Sequence, residues 1–141
     1  MSDLDFIAMQ KIPRLKMTKS QKGLLMSKAK YAWCAGFFDG EGSTGFYKQI
    51  SHGKYVARRL VISIAQVNKS PLLRFKNFIG DLGSVTGPYG PYTSGRQAYY
   101  SYAANGTEAK TVLNRLWPFL SVPKKTQAKP HLKSFAKSEA I

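Results

Sequence analysis

Hydrophobic and polar positions change period several times along this chain, and the changes divide it into elements. Residues 1–27 form a basic lead-in broken by Pro13, with "KSQKGLLMSKAK" (residues 19–30) able to form a short helix. Ser27 is placed to cap a helix running through "KAKYAWCAGFF" to about Phe38. From Tyr31 to Phe38 that helix is apolar or small all round. Such a helix must be buried on more than one side, and in a short chain its second neighbour could be another subunit. Gly40 and Gly42 stop it, and the period falls to two. "STGFYKQI" reads as a first strand, His52 to Lys54 as a turn, and "YVARRLVISIAQ" as a second strand. Val56, Leu60, Ile62 and Ile64 share one face of the second strand, with Arg58 an exception near its start. Tyr55, Arg59, Val61 and Ser63 share the other.

Ser70-Pro71 then opens a helix, with Ser as cap and Pro at the first position. Its apolar stripe is Leu72, Phe75, Phe78, Ile79 and Leu82, and Gly83 closes it. A hairpin follows: strand 84–89, a Gly/Pro/Ser turn and strand 96–103. Asn105 with Glu108 resembles a capping box for a helix carrying Val112, Leu113, Leu116, Trp117 and Leu120. Pro118 and Pro123 break that helix, and a last basic segment is interrupted by Pro130. The order is αββαββα plus a tail. It predicts an α+β fold in which a four-stranded antiparallel sheet carries helices on one face. The open face would hold Tyr47, Tyr55, Arg59 and Ser63.

Composition adds a partner. The 141 residues suffice for one domain, or one domain plus a tail, with a core that needs no staples. A 43% apolar content with 18 aromatic residues argues against disorder. The formal charge of +15 points to a polyanion, and nucleic acid leads because neutralised phosphates release counterions. The one cysteine, Cys34, excludes an internal disulfide framework and reads as a small buried hydrophobe. No stretch approaches the ~18 apolar residues of a membrane span. The N-terminus resembles neither a secretory signal nor a mitochondrial presequence. The expected setting is intracellular and reducing, with an organelle and a bacterial cytoplasm equally open.

The candidate chemistry is narrow. There is no phosphate-binding Gly-Lys-Ser/Thr loop and no G-x-S-x-G elbow, and His52 and His131 are too few for a histidine metal centre. Asp39 and Glu41 remain. They are the only acids between positions 6 and 80 and stand at the end of the most apolar stretch. Two carboxylates with a nearby carbonyl are hard oxygen ligands suited to Mg²⁺, which assists phosphodiester hydrolysis. The plainer reading is a solubilised turn, since D-x-E is common. A rigid apolar helix behind the acids and a basic chain around them favour the metal.

The stretch "AGFFDGEGS" (Ala35 to Ser43) closely resembles the signature of the LAGLIDADG homing endonucleases, a helix ending in a Gly-Asp/Glu-Gly step. "ISIAQVNKSPLL", "FIGDLGSV" and "LWPFLSVPKKTQA" resemble three later segments of that family, in order, over residues 28–130. The implied division is a basic N-terminal extension at 1–27, the endonuclease domain at 28–130 and a basic tail at 131–141. "FIGDLG" lacks the second acid and sits on a half-exposed helix, so one true motif is read. One motif implies a homodimer whose motif helices pack side by side, with Ala35, Gly36 and Asp39 at the interface.

The resemblance implies divalent-metal-dependent hydrolysis of double-stranded DNA, one strand per subunit. Glu41 would hold Mg²⁺, and Mn²⁺ or Ca²⁺ could occupy the same site. The Gly40 carbonyl would be a further ligand, with the more structural Asp39 ranking below Glu41. Gln66 matches a polar residue near the scissile phosphate, and Lys124 or Lys125 a basic residue of the same pocket. The two strand pairs would read the major groove through Tyr47, Gln49, Tyr55, Arg59, Ser63, Thr86, Arg96, Gln97, Tyr99 and Ser101. Lys48, Lys54 and Lys129 would touch phosphate. Strands of that length span roughly 28 Å, or about eight base pairs per subunit, hence a pseudo-palindrome of about 20 pairs for a dimer. The alternatives are an intron RNA maturase of the same fold, for which RNA is a partner, and a non-cleaving DNA-binding protein. No membrane partner is expected.

Overall fold

The computed structural model describes residues 16–139. Within the first hairpin the side chains of residues 48–51 and 55–57 lie outside the description, and with them the expectations for Lys48, Gln49, Tyr55 and Val56. The elements are α1 (Lys19–Glu41), β1 (Gly42–Ser51), β2 (Lys54–Gln66), α2 (Lys69–Ile79), β3 (Ser84–Tyr89), β4 (Tyr99–Asn105) and α3 (Gly106–Leu116). A 3-10 turn (Trp117–Phe119) and α4 (Val122–Glu139) follow. The strands form one antiparallel sheet in the order β1-β2-β4-β3. The helices cover one of its faces. The architecture is the expected α+β arrangement, with an additional C-terminal helix.

The motif helix starts earlier than Ser27, which lies inside it. Its N-cap is Thr18, whose hydroxyl accepts from the Gln21 N–H at 3.1 Å. The Gln21 side chain accepts from the Thr18 N–H at 2.9 Å. This reciprocal pair satisfies two of the four orphan donors of a helix start. The anticipated short helix at 19–30 is therefore the first half of α1. Gly23, inside that first half, costs only about 1 kcal/mol in a helix interior.

β1 and β2 turn at His52 (φ 53°) and Gly53 (φ 74°). Two successive residues with positive φ match the twist of a tight hairpin. Alternation then separates the faces of β2 as expected. Leu60, Ile62 and Ile64 are buried against the helices, while Arg59 is exposed on the other side. Phe38 from α1, Leu72, Phe75 and Ile79 from α2, Tyr102 and Ala104 from β4, and Val112, Leu113 and Leu116 from α3 complete the core.

Several boundaries moved. α2 begins after Asn68 rather than Ser70, and ends at Gly80 (φ 101°) rather than Gly83. The Asp81 N–H reaches back to the Lys76 carbonyl at 2.9 Å, which closes the helix. Gly83 serves packing instead, because a side chain there would meet the Tyr102 hydroxyl at 2.6 Å. Asn105 makes no side-chain cap, and Glu108 accepts from the Gly83 N–H at 3.0 Å. A tertiary contact has taken the carboxylate that a capping box would use. Pro130 does not interrupt α4, since Ala128 and Phe135 are buried on either side of it.

Candidate functional site

α1 runs directly into β1, so the two acids stand where helix becomes sheet. Glu41 is the last residue of the helix and is exposed. The Gly42 N–H bonds the Phe38 carbonyl. The carbonyls that follow, Gly40's among them, have no donor within the helix. Gly42 must lack a side chain, because a Cβ would lie 2.2 Å from the Phe38 ring.

Asp39 has a different environment. It is half-buried, and its carboxylate accepts from the Ser121 N–H at 3.1 and 3.3 Å and from the Ser121 hydroxyl at 2.9 Å. Ser121 immediately precedes α4, and its carbonyl accepts the Lys125 N–H at 3.0 Å. Lys124, in the first turn of α4, donates to the Gly42 carbonyl and lies over the Phe38 ring at 5.8 Å. Lys125 points elsewhere, over the Trp117 ring at 5.9 Å. Of the two lysines, only Lys124 is brought beside the Glu41 end of α1. Gly42 pairs with Ile64, so Gln66 lies two residues further along β2, at the same end of the sheet. Glu41, Gly40, Lys124 and Gln66 thus lie on three elements at the same end of the sheet.

Away from this corner, the uncovered face of the sheet is polar. Ser43 and Ser63 are register partners with hydroxyls 3.2 Å apart. Tyr47 pairs with Arg59, and its ring folds over Gly45, where a Cβ would lie 2.4 Å from it. Ser101 pairs with Thr86, and Tyr99 with Tyr89. Arg96 and Gln97 belong to the exposed tip between β3 and β4, since β4 begins only at Tyr99. They line a cleft of about 460 Å³ with Pro91, Tyr92, Thr93 and Tyr99. Lys54 is exposed at the tip of the first hairpin. Lys129 sits on α4, in the helical layer, and is not brought together with the sheet face.

One interface residue is corrected. Ala35 is 0% exposed within the single chain and has no surface left for a partner. The outward line of α1 is Ala29, Ala32, Gly36 and Gly40. Side chains at Gly36 or Gly40 would meet no atom within 4 Å. Trp33 and Phe37, stacked at 5.3 Å, turn towards α2 instead, and Phe37 lies 6.2 Å from Phe75. Ser121 is the residue that sequence reasoning missed. A serine just ahead of Val-Pro-Lys-Lys is a helix-start signal, and it was available.

A helix-to-strand junction bearing exposed acid beside an open four-stranded sheet defines a class already met among solved structures. The homing endonuclease I-CvuI, in complex with its target in the presence of Ca, matches with TM-score 0.63 and 25% identity, over 80% of this chain and 69% of that one. The LAGLIDADG homing endonuclease I-GzeII, in complex with a DNA target, matches with TM-score 0.62 and 19% identity, over 78% of this chain and 36% of that one. The archaeal intron-encoded homing endonuclease I-Vdi141I, complexed with DNA, matches with TM-score 0.51 and 24% identity, over 68% and 60%. No family model matches the chain, and no curated protein does. The chain shares its fold with these LAGLIDADG homing endonucleases, and its D-G-E-G step stands at the end of α1. It spans little more than a third of I-GzeII.

Proposed function

We propose that this chain is a divalent-metal-dependent DNA endonuclease that acts as a homodimer on a long, pseudo-palindromic duplex. The observation that carries the reading is the junction of α1 and β1, where exposed Glu41 stands next to Gly42, whose carbonyl accepts from Lys124, at one end of an open sheet. I-CvuI and I-GzeII, which share the fold, are homing endonucleases bound to DNA, and I-CvuI was prepared with Ca in one complex and Mg in another.

The donor set fits a hard cation. Glu41 offers an exposed carboxylate, and Gly40 a carbonyl that the helix leaves free. Among the described residues, no three His, Cys, Asp or Glu side chains come together. The remaining oxygens would come from a second copy's Glu41, from DNA phosphate and from water. A bound Mg²⁺ would favour ionisation of the attacking water and stabilise the departing 3′ oxygen. Lys124 would add positive charge beside the phosphate, and the Gln66 amide would orient water. Asp39, whose carboxylate is held by Ser121, is assigned to bracing rather than to the metal. Tyr47, Arg59, Ser63, Thr86, Tyr99 and Ser101 on the sheet, with Arg96 and Gln97 at the tip, would face the major groove. The outward line of small residues on α1 would pack against its copy, which brings two Glu41 carboxylates to one axis. The match to I-CvuI takes in 69% of that chain and leaves no room for a second such unit, whereas the match to I-GzeII does leave room.

Selection of cleaved duplexes from a randomised library in Mg²⁺ tests this reading and yields the target. On the selected duplex, Glu41→Gln should abolish cutting while binding in Ca²⁺ is largely retained. Equal cutting by both proteins would remove Glu41 from the site.

A further inference from the structure

We infer that Ser121 is a positioning residue: it fixes the first turn of α4, and with it the Lys124 ammonium, against the Glu41 end of α1. The inference rests on the reading of Glu41 and Lys124 as parts of one cleavage site. Two links join these helix ends, and they flank Glu41 in sequence. Before it, Asp39 accepts from both the N–H and the hydroxyl of Ser121. After it, Gly42 accepts from Lys124. Each link spans 82 residues of chain, so neither comes from local folding.

The division of labour follows from the chemistry of the two partners. Lysine carries its charge on a flexible four-carbon stem, so its ammonium is only as well placed as the backbone beneath it. Ser121 is three residues before Lys124 and opens the helix that carries it. Its bonds to Asp39 set that backbone relative to the last turn of α1. The Phe38 ring beneath Lys124 then limits the directions left to the stem. The Asp39 carboxylate also complements the positive end of the α4 dipole, which favours the same docking. A misplacement of about 1 Å at such a site can cost up to about a hundredfold in rate.

Ser121→Ala removes only the hydroxyl bond and leaves both N–H contacts to Asp39, so the fold should persist. The test uses the full chain and the duplex selected from the randomised library, with protein in excess so that one turnover is read. Ser121→Ala should slow cutting by about tenfold and leave affinity in Ca²⁺ unchanged. Ser121→Thr, which restores a hydroxyl, should recover the rate. In a Lys124→Ala background, Ser121→Ala should cost nothing further, because both act through one ammonium. A full rate for Ser121→Ala would overturn the proposal. So would a loss of the same size in the Lys124→Ala background, or one that tracks a lowered melting temperature, since either would make Ser121 a fold clasp only. Glu41→Gln run in parallel separates the two readings. If it cuts normally, the cleavage-site reading fails, and the Ser121–Lys124 coupling still reports whether one acts through the other. A wild-type chain that leaves the library uncut overturns both.

Discussion

Thr44 shows how residue type and burial can disagree within one side chain. It lies on the core face of β1, 5% exposed, and its hydroxyl has no hydrogen-bond partner among the described residues. A buried hydroxyl without a partner costs roughly 1–3 kcal/mol. Thr44→Val keeps the β-branched shape and should raise stability by about 1–2 kcal/mol, readable as a higher melting temperature. No change or a fall would mean that the hydroxyl has a partner in solution. The same scale separates Asp39 from Glu41. They are two residues apart, yet one carboxylate is saturated by Ser121 and the other is left to solvent. Sequence supplied both acids and, through the family resemblance, their ranking. The hydrogen bonds that distinguish them come from a residue 82 positions away. Cys34, expected as a small buried hydrophobe, is 0% exposed, and burial pushes its thiol up to about 12. It is therefore protonated and inert at neutral pH.

Strands were more legible than helix ends. Alternation located β1 and β2 closely, because a strand buried on one face writes its period into the sequence. Caps were less legible, since Ser, Thr, Asn and Glu near a helix start have competing uses. Ser27 and Ser70 fall inside helices, and Glu108 serves Gly83 rather than Asn105. Among the described residues, Thr18 makes the one complete capping box. Its helix exposes Leu24, Leu25 and Met26, so the first two turns of α1 rest little on the core. Thr18→Ala should cost the helix start about 1 kcal/mol. The expected sign is faster amide hydrogen exchange over residues 19–26, with cooperative melting nearly unchanged. A drop in the global melting temperature of several degrees would instead make those turns part of the folding unit.

At the scale of the whole molecule, the second half of the motif helix carries an exposed line of small residues, Ala29, Ala32, Gly36 and Gly40. Gly36→Leu meets open space in the single chain, so the fold should survive it. It would block close approach of a second α1. Light scattering should then report a dimer for the wild type and a monomer for the variant, with the circular dichroism of both alike. A wild-type monomer bound to DNA would contradict the dimer. The sequence by itself determined the order of elements, the core face of the central strand, the large excess of positive charge and the position of the acids. Each of these follows from local period, composition or a contiguous motif. Tertiary structure alone decided that Lys124 rather than Lys125 stands at the Glu41 end. It also turned Ala35 inward and Gly36 outward, and tied Asp39 to Ser121. The first and last of these depend on how α4 docks beside the end of α1 and β1, and the second on how the core packs, contacts between distant segments that no local pattern encodes.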